Sequence, residues 1–159
     1  MARWAEVASS APDFATAVRE VFDAHRHKTL ATVRRDGSPR ISGIEASFID
    51  GELWLGMMGG SRKALDLRRD PRFAVHSATV DPELTKGDAK IAGRVEEITD
   101  PATMTAVFTA EGRDEPPGPS HLFRADVTEV VLTRIGEPAD HLVIEVWRPG
   151  QGVERIERR

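Results

Sequence analysis

The sequence predicts a mainly β fold with inserted helices, an antiparallel barrel of roughly six strands. Three observations lead there. Apolar and polar residues alternate in short runs, as in Leu142-Val143-Ile144-Glu145-Val146-Trp147. Turn formers such as Arg35-Asp36-Gly37-Ser38-Pro39 and Asp50-Gly51 separate the runs. Few strand pairs have room for a crossover helix between them, which speaks against a doubly wound parallel sheet.

From Pro12 to His25, residues Phe14, Val18, Val21, Phe22 and His25 recur at the spacing of one helix face, with Pro12 and Asp13 suited to its first turn. The period then changes. Thr29–Val33 and Arg40–Phe48 read as a hairpin, and Glu52–Gly56 follows the Asp50-Gly51 turn, giving a three-stranded meander. A short helix begins at Ser61, a good N-cap residue, and stops before Asp70-Pro71, where proline disfavours helical backbone in the preceding residue. Strands follow at Phe73–Ala78 and Lys90–Ile98. Asp100-Pro101 starts a helix carrying Met104, Val107 and Phe108 on one face. Residues Glu111–Ser120, with Gly112, Pro116, Pro117, Gly118 and Pro119, form a loop, and strands at Leu122–Ile135 and His141–Trp147 close the chain. The organisation expected is one domain over residues 1–159: an N-terminal helix segment at 1–27, the barrel at 28–148 and a C-terminal tail at 149–159.

The chain has 159 residues, 40% hydrophobic and 30% charged, the balance of a globular domain. A net charge of -4 and a pI near 5.8 argue against a surface built for nucleic acid or anionic membrane. No cysteine is present, so disulfides, thiolate catalysis and cysteine-held metals are excluded, and any redox chemistry must come from a bound cofactor. With no signal-peptide pattern and no long apolar run, the expected location is the cytoplasm.

The chemistry concentrates in Gly56-Met57-Met58-Gly59-Gly60-Ser61-Arg62-Lys63-Ala64, between a strand and a helix start. Glycines allow close backbone approach, helix-start amides carry partial positive charge, and Ser61 offers a hydroxyl. Arg62 can grip a phosphate with two parallel hydrogen bonds, and Lys63 adds a point charge. A phosphate or pyrophosphate suits such a cradle. The plainer alternative is a glycine-rich turn into a capped helix with solvated basic residues, but basic charge in a first turn opposes the helix dipole unless an anion is present. The spacing fits neither a P-loop nor a Gly-x-Gly-x-x-Gly fingerprint.

Ser61-Arg62-Lys63-Ala64, then Leu67 and Asp70-Pro71-Arg72 before an apolar strand, resembles the phosphate-binding stretch of pyridoxamine-phosphate-oxidase-like proteins. The hairpin from Pro39 through Phe48 and the segment Lys90–Ile98 followed by Thr99-Asp100-Pro101 are similar to the same family, so the resemblance spans Thr29 to Phe108. It implies a six-stranded split-barrel homodimer holding FMN or the deazaflavin coenzyme F420 at the subunit interface. It further implies that Ser61, Arg62 and Lys63 hold the cofactor phosphate, that Ser42, Gly43, Ile44 and Glu45 face the ring, and that Met57 and Met58 lie beside the ribityl chain. The function so implied is hydride transfer between the cofactor and a small organic substrate. The alternative is a non-catalytic flavin- or haem-binding module. The C-terminal Gly152–Arg158 lacks the histidine that the oxidase itself pairs with an arginine for its substrate, which speaks against vitamin B6 oxidation.

No catalytic acid or base stands out. Glu45 lies opposite Ile44, Ala46 and Phe48 on its strand and faces the cofactor, a dimer partner or solvent. His25 and His27 lack supporting carboxylates and make no metal site; His76, His121 and His141 are dispersed and read as structural or exposed. Trp54 and Trp147 read as core or interface aromatics, and Arg68-Arg69 with Arg72 either steers an anion or forms a solvated face.

Overall fold

The computed structural model describes residues 2–113 and 118–159, so the Pro116-Pro117 part of the expected loop lies outside the described residues. Among the described residues the order is α1 (Trp4–Ser10), α2 (Pro12–Asp23), β1 (Lys28–Val33), β2 (Pro39–Ile49), β3 (Glu52–Met58), α3 (Arg62–Arg69), β4 (Arg72–His76), β5 (Asp88–Ile98), α4 (Pro101–Ala110), β6 (Ser120–Ile135), β7 (Leu142–Arg148) and β8 (Gly152–Arg158).

All strand pairs are antiparallel, in the order β3-β2-β1-β4-β5-β6-β7-β8, and β3 also pairs with β6. That last pairing closes β1 to β6 into a six-stranded barrel and removes its sheet edges. Two halves of the long β6 do different work: Ser120–Arg124 bonds to β3, and Val130–Ile135 bonds to β7. Strand β5 runs along both halves, with a bulge between Ala92 and Gly93.

Period-two alternation sends Leu30, Ile44, Ala46, Leu53, Leu55, Val75, Ile91, Ala125 and Val127 into the barrel. Helices α1 and α2 cover it with Trp4, Val7, Phe14, Val18, Val21 and Phe22. The α2 face is the one read from the spacing as far as Phe22, but the helix ends at Asp23, so His25 lies beyond it and is exposed. A second cluster, Trp54, Val107, Phe108 and Leu122, fastens α4 to the outside of β3 and β6. Both Trp54 and Trp147 are buried, and the Trp147 indole donates to Ser10 Oγ at 2.9 Å.

Two segments differ from the expectation. Residues 1–27 hold two helices rather than one, because α1 buries only Trp4 and Val7 and has no side-chain cap to announce it. Residues 149–159, expected as a tail, contain strand β8, which follows a tight turn at Arg148–Gln151 and pairs with all of β7. Its side chains are mostly charged and exposed, so backbone pairing and not burial makes it a strand.

Candidate functional site

The link from β3 to α3 is a tight turn whose three amides are all engaged. Ser61 N–H donates to Met58 O (3.2 Å), Gly59 N–H to Pro119 O (2.7 Å) and Gly60 N–H to His121 Nε2 (3.0 Å). Gly60 has φ +73°, where a side chain would be strained, and a Cβ on Gly59 would come within 2.5 Å of Pro119 O. The glycine amides therefore build the turn and are not offered to a ligand. What remains for an anion is the first turn of α3, where the amides of Arg62, Lys63 and Ala64 have no intrahelical acceptor.

Ser61 occupies the N-cap position with extended backbone, yet its side chain makes no capping bond, contrary to the expectation of a serine cap. Its Oγ is buried and has no hydrogen-bond partner. No acidic residue lies in the first turn, and Arg62 is exposed, with no ion pair among the described residues. Lys63 Nζ donates to Gly43 O at 2.9 Å, tying the helix start to β2. A buried unpaired hydroxyl, orphan amides and two cations at one helix end fit a phosphate ester.

Beside this end lies an open cavity of about 260 Å³, lined by Gly43, Ile44, Glu45, Gly56, Met57, Met58 and Lys63, and also by His27, Phe108, Arg113 and Ser120. Six of the nine residues singled out from the sequence thus share one concavity. Ser42, Ser61 and Arg62 do not line it; Ser42 is half-buried on β2, opposite Leu30. Within β2, Ile44 points into the core while Gly43 and Glu45 face the cavity side, and Met57 is buried while Met58 is 80% exposed.

The Glu45 carboxylate is held by Arg26 Nε at 2.8 Å and by Arg113 Nη2 at 3.1 Å. It is a bridge between two guanidinium groups. Arg113 also stacks over Phe108, 5.6 Å from its ring centre. Nearby Lys28 is buried, which pulls its pKa below the ordinary lysine range against the raising influence of Asp23 and Glu45. The contributions of His27, Phe108, Arg113 and Ser120 carry no local sequence signal, since they lie far along the chain from the Gly56–Ala64 stretch.

Arg68 and Arg69 of α3 and Arg72 of β4 form an exposed, solvated face on which each guanidinium is paired. Arg68 makes a two-pronged contact with Glu97 (2.7 and 2.8 Å), Arg69 reaches Val33 O and Asp66, and Arg72 holds Asp70, whose carboxyl is lowered to about 2 by that hydrogen bond. Asp66 is buried and accepts from Thr32 Oγ1 (2.8 Å), Arg40 Nε (2.6 Å) and Arg69 Nη2 (3.1 Å). Burial pushes its pKa up, but these hydrogen bonds together outweigh burial and hold it below the usual range. No cluster of metal-ligating side chains occurs among the described residues, and no helix is long and apolar enough to cross a membrane.

A closed barrel of six antiparallel strands, with helices set between them, defines a class, the split barrels. The chain belongs to the pyridoxamine 5'-phosphate oxidase family, whose sequence model matches residues 14–134. Solved structures agree on the fold. A pyridoxamine 5'-phosphate oxidase-related, FMN-binding protein from Nostoc punctiforme is 16% identical, with a TM-score of 0.68 over 100% of this chain and 98% of its own. PhzG from Burkholderia lata, solved with tetrahydrophenazine-1-carboxylic acid, is 15% identical, with a TM-score of 0.63 over 94% of this chain and 87% of its own. An F420 reductase is 20% identical, with a TM-score of 0.56 over 70% of this chain and 94% of its own. No functionally curated protein matches the sequence at a significant level.

Proposed function

We propose that this protein is an oxidoreductase that binds FMN or coenzyme F420 and passes a hydride between it and a small organic substrate. The observation that carries the reading is the buried Ser61 Oγ, unpartnered among the described residues, at a helix start whose flanking Arg62 has no counter-charge among them. An ester phosphate there accepts from the hydroxyl, the first-turn amides and the guanidinium at once. Lys63 adds charge while its bond to Gly43 O keeps β2 and α3 in register. The ring lies in the neighbouring cavity against Gly43–Glu45 and Gly56–Met58, where small residues leave room for a flat group.

When bound, the cofactor supplies the atom that gives or takes the hydride. The chain supplies anchoring and orientation, and Glu45, clamped by two arginines, fixes one wall of the cavity. Ile41, 73% exposed, shares the outward face of β2 with Gly43 and Glu45, and Met58 stands exposed at the cavity rim. These apolar edges support a homodimer in which a second copy closes over the ring. His27 in the cavity wall supports a second reading, a haem-holding or carrier module without turnover.

The test is titration of wild type and of the Arg62→Ala, Lys63→Ala double variant with FMN, F420 and haem. Loss of charge-assisted hydrogen bonds worth about 1.5 to 3 kcal/mol each should weaken phosphorylated-cofactor binding by about 3 kcal/mol or more. Equal affinity in both proteins rules out the phosphate site. Haem binding alone selects the second reading, and oxidation of reduced cofactor by an added acceptor selects the enzyme.

A further inference from the structure

The turn that delivers Ser61 is held from outside by a residue with no part in the reading above. His121, near the start of β6 and only 9% exposed, receives Gly60 N–H at Nε2 (3.0 Å), and its Nδ1 lies 2.8 Å from Glu97 Oε1. An amide N–H can only donate, so Nε2 carries the lone pair and the proton sits on Nδ1, donated to the carboxylate. Glu97 is gripped in turn by both prongs of Arg68 from α3. One neutral imidazole thus joins β5, β6 and α3, and its free nitrogen sets where Gly60 sits.

We infer that neutral His121 is a positioning residue for the anion cradle at Ser61–Lys63, and that protonating it releases Gly60, loosens the turn and weakens cofactor binding. The inference rests on the proposed phosphate site. A protonated Nε2 sets an N–H against the Gly60 N–H, two donors with no acceptor between them, so the ring or the turn must move. Among the described residues, the groups facing the ring are Glu97 from β5 with Arg68 of α3 behind it, the Gly60 amide, and Phe123 of β6, with ring centres 6.3 Å apart. The hydrogen bond from Arg68 holds the Glu97 carboxyl below its ordinary range despite burial, so Glu97 stays ionised where imidazoles titrate, between about pH 5 and 8. Binding requires the neutral ring, so it is strongest at high pH and falls as the ring protonates.

The experiment compares wild type, His121→Gln and His121→Leu, titrated with FMN and with F420 between about pH 5.5 and 8.5. Glutamine keeps an acceptor near the Nε2 position but does not titrate; leucine removes the acceptor. The FMN phosphate itself changes charge near pH 6, so the wild-type and glutamine profiles are compared with the same cofactor. The expected result is that wild type loses about tenfold more affinity than His121→Gln on going from high to low pH, while His121→Leu is weak throughout. Parallel wild-type and glutamine profiles overturn the inference. In the cofactor-free protein, the Gly60 amide resonance should move with pH in wild type and stay fixed in His121→Gln; a Gly60 amide indifferent to pH in wild type also overturns it. Failure of wild type to bind either cofactor at high pH sinks the phosphate site instead, and the amide titration still decides the role of His121.

Discussion

Helices α3 and α4 begin in opposite ways. At α4, Asp100 accepts from Thr103 N–H at 2.9 Å and from the Thr103 hydroxyl at 2.6 Å, and Pro101 occupies the first helical position, where no amide is needed. That end is closed by its own sequence. At α3, Ser61 stands in the cap position with its hydroxyl unused, and the next two residues are basic where the dipole favours acid. The α4 start is satisfied by its own side chains, whereas the α3 start is left uncapped and flanked by positive charge.

The largest effect expected from breaking this contrast comes from the other end of α3, which is as saturated as its start is not. Asp66→Ala strands Arg40, Arg69 and the Thr32 hydroxyl around an empty site and should cost about 3 to 5 kcal/mol of stability, measured by urea unfolding. Because the folded Asp66 has a lowered pKa, its contribution is present above about pH 4 and is lost as pH falls through the folded value, so the gap between variant and wild type should close in acid. Next is Asp100→Ala, which removes a working cap and should lower the melting temperature by about 3 °C without changing cofactor affinity. The smallest and sharpest is Ser61→Ala. It deletes a hydroxyl with no partner, so stability should hold or rise slightly, while affinity for FMN or F420 falls by about 1 kcal/mol. A loss of stability equal to that of Asp100→Ala would show that Ser61 is an ordinary cap.

The barrel was legible because its strands obey period two and its turns use residues that can do little else. Gly37 and Gly51 both lie at positive φ where the hairpins bend. The α2 face and the α4 start were equally readable, since spacing and capping chemistry are local. Helix α1 escaped because seven residues with two buried side chains make no periodic signal, and β8 because Val153 and Ile156 are its only apolar members. The candidate site was half legible. The Gly59–Lys63 stretch stands out within a few residues, but His121 meets Gly60 across 61 positions, where β3 closes onto β6, and Glu97 across 24, where β5 pairs with β6. Glu45 was placed on the correct face, yet its two arginine partners come from the end of α2 and from beyond α4.

Strand β6 has a consequence for how the molecule comes apart. It pairs with β5 along most of its length, and it belongs at one end, through β3, to the closed barrel and at the other, through β7, to the β7–β8 extension. Strand β8, with a neighbour on one side only, can detach and return without disturbing anything that β3 or α3 holds. Freeing β6 means opening the barrel itself. The Pro119–His121 segment that braces the Gly59-Gly60 turn therefore belongs to the most cooperative unit of the chain, and the cradle inherits the persistence of the barrel rather than that of a loop.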